Sequence, residues 1–146
     1  MRQLNSKPFF RGKKQAWYCW IDGHLKSLGK KVGLAINPPT GMAQVEAYLG
    51  QIDVLLVMTV NPGFGGQPFI TETLPKIQQA RAWRTEKRLD YRIEVDGGIN
   101  SQTAADCAHA GADTFVSGTG LFHQRSMKAA IKKMQKLVGQ QARRRS

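Results

Sequence analysis

The sequence predicts an α/β fold of about four βα units with parallel strands, and three observations carry that prediction. Short apolar runs recur, each closed by a turn, at Val32–Asn37, Asp53–Val60, Tyr91–Val95 and Asp113–Ser117. Segments with apolar residues at helical spacing alternate with them. The last three runs each lead into glycines, at Gly63–Gly66, Gly97-Gly98 and Gly118–Gly120. Repeated βα units require a parallel sheet with right-handed crossovers. Four of them make either half of a (β/α)8 barrel or a small open doubly wound sheet, and periodicity leaves the two open. The chain has 146 residues, short of the roughly 200–250 of a complete barrel.

Each element has its own signal. Val32–Asn37 is closed by Pro38-Pro39, as a buried strand would be. Val45, Tyr48, Leu49 and Ile52 predict a helix over Gly41–Gln51. Asp53–Val60 is continuously apolar and suits a strand covered on both faces. A loop follows over Asn61–Gly66, then a helix through Leu74, Ile77, Arg81 and Arg84, with Pro75 near its start, where the missing N–H costs little. Tyr91–Val95 is a strand ending at Asp96-Gly97-Gly98. Ser101–Ala110 is a helix with Asn100 or Ser101 as cap and Gly111 as stop. Asp113–Ser117 is a strand ending at Gly118-Thr119-Gly120. Ser126–Val138 is an amphipathic helix, with Met127, Ile131, Met134 and Val138 expected inward and Lys128, Lys132, Lys133 and Lys136 in water.

Lys and Arg number 22 against 10 acids, a net charge of +12. Such a balance ordinarily suggests nucleic acid as a partner, but the charge sits at the ends. Residues 1–31 carry +7 and residues 125–146 carry +8, while 32–124 carry −3. A basic face on a terminal helix is an ordinary wet face, so nucleic acid is not expected as a partner. Residues 1–23 mix Lys7, Arg11, Lys13 and Lys14 with Phe9, Phe10, Trp17, Tyr18 and Trp20 and show no period of 2 or 3.6; they read as a basic arm. Cys19 and Cys107 make no disulfide framework. With no apolar run long enough for a membrane span and no apolar signal segment, the expected location is the cytoplasm.

Ligands of parallel α/β folds bind at the carboxyl ends of the strands. Glycine turns there let the backbone approach a ligand, and free N–H groups attract a phosphate. Three such turns on one rim point to a phosphate site. Asp96 stands at the mouth of its strand, where a carboxylate serves as a general base, as a metal ligand or as a cap for the next helix. Glu94 shares its parity, one pair further from the rim. Met58 suits either the site or the core. His24, His109 and His123 lack metal-ligand spacing and read as surface or packing residues.

LAINPPT, LLVMTVNPGFGGQPFI, IEVDGGIN and GADTFVSGTGLF, in this order, resemble the C-terminal half of the ribulose-phosphate 3-epimerase family, whose close relative is allulose-6-phosphate 3-epimerase. The resemblance runs from about His24 to about Val138. It implies strands 5 to 8 of a TIM barrel, hence a partial barrel domain over residues 24–146 behind an unmatched arm over 1–23. It implies inversion of C3 in a ketose phosphate, D-ribulose 5-phosphate to D-xylulose 5-phosphate, by two Asp residues around an enediolate stabilised by a divalent metal. Zinc is expected first, with iron, manganese or cobalt as alternatives. On this resemblance Asp96 is the second Asp, both acid/base and metal ligand. Gly63, Phe64, Gly65 and Gly66 match a loop over the substrate, Gly97, Gly98, Gly118 and Thr119 the phosphate-binding turns, and Met58 a pocket-lining Met. The family more often has Ser where Thr119 stands.

The family's first half holds the first catalytic Asp, a His-x-Asp metal pair, a further His ligand and a Ser that touches phosphate, and no such strings occur here. The expectations are weak or absent metal binding, little activity from this chain alone, and self-association through exposed half-barrel edges. A phosphate-binding half-barrel without catalysis is the second reading. Ala82-Trp83-Arg84, Gln67–Ile70 and Gly118–Phe122 lean towards a hexulose phosphate, while the pentulose branch is the commoner.

Overall fold

A computed structural model describes residues 9–11, 16–21, 24–27 and 31–143. The N-terminal strands β1 (Phe9–Arg11), β2 (Ala16–Ile21) and β3 (His24–Ser27) form an antiparallel sheet in that order. Tyr18 stands opposite Phe9 on one side and Ser27 on the other. The arm expected over residues 1–23 lies in large part outside the described residues; the described part is sheet. β2 reads AWYCWI, apolar throughout, so no alternation announces it, although Trp, Tyr and Ile favour strands.

The second sheet is parallel and holds β4 (Gly33–Ile36), β5 (Val54–Met58), β6 (Arg92–Asp96) and β7 (Thr114–Val116) in sequence order. A doubly wound sheet reverses its order at a switch point; this one does not, which is the order of a barrel segment. The helices are α1 (Leu74–Glu86), α2 (Ser101–Ala110), the single turn α3 (Thr119–Phe122) and α4 (Met127–Arg143).

Alternation along the strands divides the sheet into two unlike faces. Ile36, Leu55, Val57, Ile93 and Val95 are buried, joined in one core with Ile77 and Ala80 of α1 and Ala104 and Cys107 of α2. The opposite parity holds exposed Ala35 and Val116 and half-buried Leu56, Met58, Glu94 and Asp96. The expectation that Asp53–Val60 is covered on both faces therefore fails on one side: helices cover one face, and the other is the wall that a closed barrel would turn inward.

Local chemistry fixes the elements. The Asn100 carboxamide accepts from the N–H groups of Gln102 and Thr103, and the Thr103 hydroxyl accepts from the N–H of Asn100 at 2.8 Å, a reciprocal cap. Gly111 ends α2 with a φ of +139°. Tyr91 is buried and its hydroxyl donates to the Ala80 carbonyl at 2.6 Å; burial pushes its pKa up to about 12. Burial, with Asp106 nearby, likewise pushes the Cys107 thiol up to about 12. Lys76 donates to the carbonyls of Pro38 and Thr40, each at 2.5 Å, and to that of Asn37 at 3.2 Å, tying α1 to the loop after β4. Its ammonium pKa is lowered by burial. Arg84 pairs with Asp113, whose carboxylate also accepts from the Ile93 N–H at 3.0 Å.

Two expected helices differ. Residues 41–51 form two 3-10 turns, Met42–Gln44 and Glu46–Gln51, in place of an α-helix. Gly41 and Gly50, at the two ends of the stretch, are poor helix formers, yet the turns still bury Val45 and Leu49. In α4 the inward stripe runs through Ala130, Met134, Leu137 and Val138, while Met127 and Ile131 are exposed. Packing against α2 and α3 needs a narrower stripe than the sequence offers.

Candidate active site

At the carboxyl ends of β5, β6 and β7 lies a cavity of about 380 Å³. Its wall contains every residue that the family resemblance assigned to the site. Met58 and Asp96 come from the ends of β5 and β6, paired in register. Gly63, Phe64, Gly65 and Gly66 come from the loop after β5, Gly97 and Gly98 from the turn after β6, and Gly118 and Thr119 from the turn after β7. Val60, Pro62, Gln67, Ile99 and Val116 complete the lining.

The strands aim Asp96. It shares the parity of Glu94, on the open face of β6. Glu94 stands one pair further from the rim and is not among the lining residues described. The next two residues turn with φ of +118° at Gly97 and +64° at Gly98. A Cβ at Gly97 would lie 2.4 Å from a Val60 methyl, and one at Gly98 would lie 2.6 Å from the Phe69 backbone nitrogen. Glycine is therefore required twice, for conformation and for space. Among the described residues, the N–H groups of Gly97, Gly98, Gly118 and Thr119 make no turn or loop hydrogen bond. They remain available to an anion.

A layer beneath holds these turns. The buried Thr59 hydroxyl lies 2.6 Å from the Gly97 carbonyl oxygen and 3.0 Å from that of Asp96, and the Thr59 N–H donates to Asp96 at 2.8 Å. Thr103 donates to the Gly98 carbonyl at 3.0 Å, and Ser117 to that of Ile99 at 2.6 Å. Gln67 donates to the carbonyls of Asn61 and Phe64, at 2.7 and 2.9 Å, closing the loop that carries Phe64 outward, 85% exposed. Sequence reading missed this layer. The signal for Thr59 was a lone hydroxyl at a buried parity of an apolar run, which must find an acceptor.

The histidines stand elsewhere. His24 lies in β3, His109 in the last turn of α2 and His123 just after α3. Among the described residues no three His, Cys, Asp or Glu side chains gather to hold a metal, and Asp96 is the one ionisable side chain on the cavity wall. A tight zinc site takes three or four side-chain donors. This donor set does not fit a resident divalent metal. The chemistry on hand is that of one carboxylate and a rim of backbone amides.

The Ribulose-phosphate 3 epimerase family matches residues 19–122. Ribulose-phosphate 3-epimerase of Escherichia coli K12 is 43% identical over 110 residues, covering 75% of this chain and 49% of that protein. The enzyme of the same name from Bacillus subtilis is 44% identical over 108 residues, 73% of this chain and 50% of its own. The chloroplastic ribulose-5-phosphate-3-epimerase of Arabidopsis thaliana is 42% identical over 108 residues, 74% and 38%. The chain thus spans about half the length of the bacterial relatives it matches. A partial barrel with its rim turns intact, matched over most of its length, belongs to the ribulose-phosphate 3 epimerase family.

Proposed function

We propose that this chain carries the phosphate-holding rim and one acid–base carboxylate of a site that epimerises C3 of D-ribulose 5-phosphate to give D-xylulose 5-phosphate. The observation that carries the reading is Asp96 on one cavity wall with the turns at Gly97-Gly98 and Gly118-Thr119. The phosphate sits against the free amides of those turns. Asp96 accepts the C3 proton, and the electron pair left on C3 delocalises towards the C2 carbonyl oxygen as an enediolate. Inversion then needs a proton donor on the opposite face of that planar intermediate. No second carboxylate lines the described cavity. Alone, the chain returns the proton to the face it left, so exchange outpaces inversion.

The same observation favours one alternative, a rim that binds sugar phosphates and performs no chemistry. Deuterium exchange separates the two. D-ribulose 5-phosphate is incubated with the chain in D2O and followed by NMR. Loss of the C3 proton signal, abolished by Asp96→Asn, is the expected result. Binding without exchange selects the alternative, and absence of both sinks the two readings together. The reading places the protein in the cytoplasm, with its sugar phosphate. No described helix is long and apolar enough to cross a membrane.

A further inference from the structure

Among the described residues the parallel sheet ends in two edges without a strand partner, β4 and β7, and its less covered face carries Ala35, Leu56, Met58 and Val116. Beside each edge the flanking helical segment exposes apolar side chains. Next to β4 this is Tyr48, 54% exposed; next to β7 it is Met127 and Ile131 of α4, 45% and 37% exposed. Neither group is covered by the described residues. We propose that two copies of this chain close into one eight-stranded parallel barrel, β7 of each pairing with β4 of the other.

Geometry and apolar surface favour a second copy as the occupant. Eight strands is the number whose interior side chains just fill a closed barrel, and four parallel strands supply half. A two-fold axis along the barrel keeps all strands parallel and satisfies both edges of both copies, so the assembly closes and does not grow. In that pairing Tyr48 of one copy meets Met127 and Ile131 of its partner, and the uncovered sheet faces become a shared interior.

The inference does not rest on the epimerase reading, because its readout is mass and not activity. Sedimentation of the full chain should give a dimer, and Ile131→Lys or Tyr48→Lys should convert it to a monomer with unchanged far-UV circular dichroism. Both positions are exposed in the single chain, so neither change threatens its fold. In a Cys19→Ser background, Tyr48→Cys chains mixed with Ile131→Cys chains should form a disulfide between copies, which neither forms alone. A monodisperse monomer, an open-ended series of oligomers, or a dimer indifferent to both lysine variants would each overturn the closed barrel.

Discussion

The two faces of the parallel sheet come from the same residues of chain and live in different worlds. Leu55, Val57, Ile93 and Val95 have no accessible surface, while Leu56, Met58, Glu94 and Asp96, their immediate neighbours, are half-buried. The closed face holds the helices; the open face holds the cavity. Stability and chemistry are therefore divided by parity rather than by segment. Substitutions one residue apart should differ in kind.

The largest effect belongs to the closed face. Ile93→Ala should cost about 2–5 kcal/mol in denaturant unfolding, because its cavity is walled by helices that cannot collapse. Leu56→Ala, on the open face, should cost less, about 1–2 kcal/mol, since part of its side chain stays in water in the folded chain. Equal costs would show that something covers the open face in solution. Gly98→Ala stands next, at about 1–3 kcal/mol from its positive φ, and the Phe69 backbone leaves no room for the methyl. Calorimetric binding of phosphate should vanish with it.

Thr59→Val should cost about 1–2 kcal/mol by stripping the Gly97 carbonyl of its donor. Deuterium exchange at C3 should slow with it, since Asp96 loses its underpinning. A smaller contrast appears only in alkali. Tyr91 and Cys107, both on the closed side, are each raised to about 12. Their protons are kept in the folded chain and released more readily by the unfolded one. Their contribution is whole below about pH 9 and fades as pH rises towards 12, so unfolding midpoints should fall across that window. Least of all for stability, Asp96→Asn should move unfolding by about 0.5 kcal/mol or less, while ending exchange.

The sheet and its rim were legible because each strand carried its own apolar run and each turn its glycines. Asn100 and Gly111 announced α2 from both ends, since caps are local chemistry. What escaped depends on contacts that no single segment contains. Thr59 matters through carbonyls of the neighbouring strand, and Lys76 through carbonyls about forty positions earlier. The stripe of α4 was misread at Met127 and Ile131 because a sequence displays apolar residues without saying which neighbour takes them. The strands at residues 9–11 and 16–21 went unread because neither FFR nor the apolar run AWYCWI shows a period.

The pairing of Met58 with Asp96 fixes more than a place. Slide β6 one residue along β5, and Val95 would face the cavity while a carboxylate entered the oil-like side of the sheet. An ion buried there has no partner, and the slipped chain would not persist. Folding therefore acts as an inspector of the reactive group. Any molecule that reaches the native pairing already has its carboxylate at the mouth, with no separate step needed to install it.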